Sequence, residues 1–84
     1  MTTEEVEMQV HIFRGTGRVF AFTGRGGTDG LPDRYAPWSP FKTVEVVRGE
    51  AQRGFNVDDC LDDIARYGIH VTDAHARITE QALG

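Results

Sequence analysis

The chain has 84 residues, a hydrophobic fraction of 39%, a charged fraction of 26% and a formal net charge of −4. That length holds one domain and buries roughly two-thirds of the surface its unfolded chain exposes, so the fold is only modestly stable alone and a homo-oligomer is plausible. The composition excludes a disordered chain, and the acidic balance argues against nucleic-acid binding, which favours a basic domain.

Residues 1–7 open the chain with three glutamates, Glu4, Glu5 and Glu7. No apolar run follows that could serve as a signal peptide or a membrane span. Cys60 is the single cysteine, which excludes an internal disulfide and fits a reducing compartment. The expectation is a soluble cytoplasmic protein with no membrane partner, a flexible terminus over 1–7 and one domain over 8–84.

Met8, Val10 and Ile12 alternate with Gln9, His11 and Phe13, the period of a strand with one buried face. Arg14 to Gly17 supplies turn residues, and Arg18 to Thr23 is rich in β-branched and aromatic types. The pattern predicts a hairpin over 7–23. Gly24 to Pro40, with four glycines and three prolines, predicts an irregular segment. Phe41 to Val47 reads as a third strand.

Asn56 to Gly68 carries a start, a sided interior and a stop. Asn56 is a strong N-cap residue, Asp58 and Asp59 complement the positive end of the helix dipole, and Gly68 suits a left-handed C-terminus. At about 100° per residue, Val57, Cys60, Leu61, Ile64 and Ala65 share one side, with Tyr67 at its border. Asp58, Asp59, Asp62 and Asp63 fall on the other, with Arg66 as a local partner. Ile69 is expected to fold back on Ile64 as in a Schellman motif. Ile69 to Val71 then adds a short strand or closes the core, and Thr72 caps a second helix that aligns Ala74, Ile78 and Ala82. The fold expected is α+β, a small antiparallel sheet of about three strands with two C-terminal helices on one face.

The whole charge excess sits in residues 55–84, where Asp58, Asp59, Asp62, Asp63, Asp73 and Glu80 outnumber Arg66 and Arg77. The four helical aspartates lack the loop that wraps a hard cation, so they read as a solvated face or one that meets a basic partner. No metal site and no cofactor are expected. His11, His70 and His75 do not have zinc spacing with Cys60. His70 or His75 near Asp73 offers acid–base chemistry for a small enzyme, although no nucleophile signature accompanies them. The glycine patch at 24–30 lacks both the Walker and the dinucleotide patterns. Arg14, Arg18, Arg25 and Arg34, interleaved with Phe13, Phe20, Phe22 and Tyr35, provide the alternative of nucleic-acid association. Tyr35, Trp38 and Phe41, braced by Pro32, Pro37 and Pro40, read either as a lid on a small core or as anchors for a protein partner.

At Gly30-Leu31-Pro32, Pro37-Trp38 and Tyr67 to Thr72 the layout resembles short bacterial proteins in which a strand hairpin leads into a Gly-x-Leu-Pro…Pro-Trp loop. The resemblance implies a small bacterial accessory protein and assigns no site. The function expected is a non-catalytic interaction domain, using Tyr35, Trp38 and Phe41, the Asp58, Asp59, Asp62 and Asp63 face, or both.

Overall fold

Alternation along the first third of the chain produces the hairpin it predicts. In a computed structural model, which describes residues 7–27, 30–50, 55–74 and 76–83, β1 (Glu7–Arg14) pairs antiparallel with β2 (Val19–Thr23), setting Ile12 opposite Phe22 and Phe13 opposite Ala21. Glu7 therefore opens a strand, while residues 1–6 of the expected flexible terminus lie outside the described residues.

Among the described residues the sheet has five antiparallel strands rather than about three, in the order β3-β1-β2-β4-β5. β3 (Ser39–Val47) lies along the outer side of β1, with a register shift beside Ile12 and Phe13. On the other side, β4 (Ile69–Asp73) pairs with β2, and β5 (Ala76–Arg77) closes that edge after a turn in which Ala74 takes φ 50. The second helix is correspondingly shorter than expected. Thr72 and Asp73 are strand residues, Ala74 is a turn, and only α2 (Thr79–Leu83) is helical. Two β-branched residues in Val71-Thr72 pack more readily on a pleated surface, which here overrides the capping signal of Thr72.

Helix α1 (Val57–Tyr67) keeps the predicted boundaries. The Asn56 side chain accepts from the Asp59 N–H at 2.9 Å, and Gly68 ends the helix at φ 88 with its N–H donating to the Ile64 carbonyl at 2.9 Å. That single bond is the αL ending rather than the full Schellman pair. Ile69 does not return to Ile64, since the two side chains join different apolar clusters.

Successive strand residues point to opposite faces, so the two clusters lie on the two sides of the sheet. Val10, Ile12, Phe22 and Val46 meet Val57, Cys60 and Leu61 of α1 on one side. Phe13, Val19, Ala21, Ile69 and Val71 meet Leu31 and Ala82 on the other, with Tyr35, Trp38 and Ile78 at the margin. The helices thus divide between the faces instead of sharing one. The irregular segment supplies part of the second cover, folded around a short 3-10 turn at Asp33–Tyr35.

Candidate functional site

The aspartates of α1 do not form one wet face. Asp58, Asp59 and Asp62 are exposed, whereas Asp63 is 2% exposed. Arg48, just past β3, reaches Asp62 at 3.0 Å and Asp58 at 4.0 Å, and the Gly49 N–H donates to Asp58 at 3.0 Å. Arg48 is thus the partner of this face in the role expected of Arg66, whose guanidinium lies 5.9 Å from the Tyr67 ring centre. Exposed pairs of this kind contribute little to stability.

Asp63 is the buried hub of a cluster whose outer member, Arg77, is 42% exposed. Its carboxylate accepts from Arg77 Nε at 2.9 Å and Nη2 at 2.7 Å, from the Thr79 hydroxyl at 2.7 Å and from His70 Nδ1 at 2.7 Å. Thr79 Oγ1 also accepts from the Val71 N–H at 2.9 Å. One carboxylate therefore ties α1 to β4, β5 and α2. Burial alone would push Asp63 up, but donation from Arg77, Thr79 and His70 outweighs it and holds the carboxyl well below the usual range. The same contact raises Arg77.

His70 is 1% exposed, and among the described residues its Nε2 has no hydrogen-bond partner. The Phe22 ring lies 5.3 Å away. Donation from Nδ1 to Asp63 assigns the proton to that nitrogen and leaves Nε2 as a lone pair, which an apolar wall tolerates better than an orphaned N–H. Burial accordingly lowers the pKa of His70, against the opposing pull of Asp63. On α1, three residues before Asp63, the Cys60 thiol is pushed up to about 12 by burial and then by the Asp63 charge. The acid–base pair of the enzyme reading is thus present, but as His70 with Asp63 rather than Asp73, and neither side chain meets solvent. His75 lies outside the described residues.

The aromatic–proline candidates separate. Trp38 is half-buried, its Nε1–H donates to the Pro32 carbonyl at 2.9 Å, and its ring meets Tyr35 edge-on with centres 6.4 Å apart. Both pack on the second cluster as a lid. Phe41 instead is 52% exposed on β3, set edge-on to Phe20 at 5.3 Å.

Arg14, Arg18, Arg25 and Arg34 are all exposed, and Arg34 donates to the Gln81 carbonyl at 2.8 Å. Phe13 and Phe22 are core residues, so they are not stacking platforms beside those arginines. His11 faces Thr43 across β1 and β3, with Nδ1 and Oγ1 3.1 Å apart. Sequence reasoning missed the parts played by Asp63, Arg77, Thr79 and this His11–Thr43 pair. Asp63 had one available signal: it stands three residues after Cys60 and four before Tyr67, on the margin of the apolar stripe.

Comparison with family models, curated proteins and solved structures finds no match to this chain. Among the described residues, no helix is long and apolar enough to cross a membrane, and no group of three His, Cys, Asp or Glu side chains is placed to hold a metal ion.

Proposed function

We propose that the chain is a small non-catalytic accessory domain that receives a protein partner along β3. The observation that carries this reading is Phe41, a large apolar side chain 52% exposed on a nine-residue strand at the sheet edge. Among the described residues no strand pairs with the outer side of β3. An edge of this kind offers backbone donors and acceptors to an extended segment of a partner, and a neighbouring aromatic ring supplies the anchor. Pro40 interrupts the ladder at one end and sets where such pairing begins.

The same geometry weighs against catalysis. A general acid or base must reach the proton it moves, and the His70–Asp63 pair is closed off, with its carboxylate already accepting four hydrogen bonds. That cluster holds elements together.

The test is recovery of partners from the native host with the wild-type chain, Phe41→Glu and Asp59→Arg/Asp62→Arg. Loss of a specific partner with Phe41→Glu, at unchanged circular dichroism, supports the β3 reading. Loss only with the helix variant moves the interface to α1. Retention of every partner by both ends the proposal.

A further inference from the structure

The α1 side of the sheet ends in a basic, aromatic corner. Phe41 sets its ring edge-on to Phe20 with centres 5.3 Å apart, and Phe20 packs on the cluster that α1 covers. Residues directly opposite in a ladder share a face. Lys42 lies opposite Ile12, a buried member of that cluster, and Arg14 lies opposite Phe20, so both cations leave the sheet on the α1 side. The register shift beside Ile12 and Phe13 explains how the consecutive residues Phe41 and Lys42 come to share one face. Ile12 pairs with Lys42 and Phe13 with Pro40, which leaves Phe41 as an extra residue on β3, and a bulge of this kind re-aims its side chain. Lys42 Nζ accordingly lies 5.7 Å from the Phe41 ring centre.

Arg14, Phe41 and Lys42 are exposed and Phe20 is half-buried, so the corner is open to a ligand. Among the described residues, the ion pairs of the α1 aspartates employ Arg48, His70 and Arg77, and none engages Arg14 or Lys42. The surface thus offers an apolar floor beside two cations, and its complement is an apolar group flanked by anions. A strand added to β3 sends alternate side chains to the α1 side, where opposite charges across a ladder attract. A long polyanion would also meet exposed Asp58, Asp59 and Asp62. A short acidic segment senses only the corner, because charges more than roughly 8 Å away are largely screened at physiological salt.

Building on the β3 reading, we propose that the partner presents an acidic extended segment. Its apolar side chain rests on Phe41 and Phe20, and carboxylates at the flanking alternate positions meet Lys42 and Arg14.

The experiment is a ¹⁵N–¹H correlation titration of the full chain with the capped peptide Val-Thr-Asp-Thr-Leu-Thr-Asp, with its analogue carrying lysine for both aspartates, and with a short oligothymidylate. The aspartate peptide is expected to give saturable shifts centred on Arg14, Phe20, Phe41 and Lys42, and the lysine peptide none. Lys42→Glu and Arg14→Glu should each weaken the aspartate peptide about tenfold, as loss of one charge-assisted contact does, and Lys42→Glu should gain affinity for the lysine peptide. Arg34→Ala, beside α2, should leave binding unchanged. Equal binding of the two peptides, no saturable shifts with the aspartate peptide, or full binding by a folded Lys42→Glu and a folded Arg14→Glu would overturn the assignment. Saturable binding of the oligothymidylate alone would overturn it in favour of nucleic acid. A host partner lost with Phe41→Glu but indifferent to Lys42→Glu and Arg14→Glu would sink the acidic assignment and leave the β3 reading standing.

Discussion

His70 and Asp63 meet at 2.7 Å with both side chains 3% exposed or less, and among the described residues the far nitrogen of the imidazole has no partner. Burial lowers the pKa of His70 and so favours a neutral histidine beside an ionised carboxylate. The charge of that carboxylate is balanced by Arg77, whose guanidinium reaches in from a half-open position.

Replacing Asp63 should therefore be far more damaging than replacing its neighbours on α1. Asp63→Ala leaves the Thr79 hydroxyl and His70 Nδ1–H unsatisfied and Arg77 without its anion, at a cost of about 3 kcal/mol or more. Asp59→Ala, on the exposed side, should change stability by no more than about 0.5 kcal/mol. Urea unfolding of the two variants measures the contrast, and equal midpoints would refute the hub.

Stability should fall as the solution is acidified. The unfolded chain protonates His70 near its ordinary value of 6.5, while the native state resists because burial lowers that pKa. Below about pH 6.5 the unfolded state thus binds more protons, and stability drops with a slope approaching about 1.4 kcal/mol per pH unit. Asp63 adds in the same direction below its ordinary 3.8, because its native pKa is also depressed. Denaturation midpoints across pH 5–8 should show the slope, and His70→Gln should flatten it. An unchanged slope in that variant would mean another group is responsible.

Cys60 should be inert while the protein is folded. Its side chain is sealed and its thiol is pushed up to about 12, so almost no thiolate exists at neutral pH. Ellman's reagent should label it only at the rate of global unfolding, and rapidly in urea. Prompt labelling of the native chain would show that α1 lifts from the sheet.

The Trp38 lid should depend on Gly15. A Cβ at that position would sit 2.8 Å from the Tyr35 carbonyl and 2.9 Å from Trp38 Cζ3, so Gly15→Ala must displace the loop or the ring, at about 1–3 kcal/mol. Tryptophan fluorescence should move to longer wavelength as the indole is pushed into water. An unshifted spectrum at wild-type stability would place Trp38 elsewhere.

The parts legible in the sequence were those governed by local rules. Asn56, Gly68 and the spacing of Val57, Cys60 and Leu61 act within one helix, and strand alternation from Met8 to Phe13 acts within one hairpin. What escaped was set by distant partners. Asp63 resembles its three acidic neighbours in sequence, and only the arrival of Arg77 and Thr79, 14 and 16 residues later, makes its burial affordable. A short strand over Ile69 to Val71 was one of two readings, but its continuation through Thr72 and Asp73 and the fifth strand escaped for a related reason. Thr72 is a good cap in isolation, but pairing with Phe20 on one side and Arg77 on the other claims its backbone first. At the candidate surface, Phe41 was recognised as large and apolar, while its separation from Trp38 followed from where β3 begins.

The four bonds to Asp63 also make the end of the chain a keystone. Cutting the polypeptide ahead of Arg77 would strip the carboxylate of its arginine and threonine donors together, stranding an anion beneath the central helix. Loss of Arg77 and Thr79 in this way should thus unravel distant regions as well, whereas a cut ahead of exposed Leu83, which keeps both, should pass almost unnoticed.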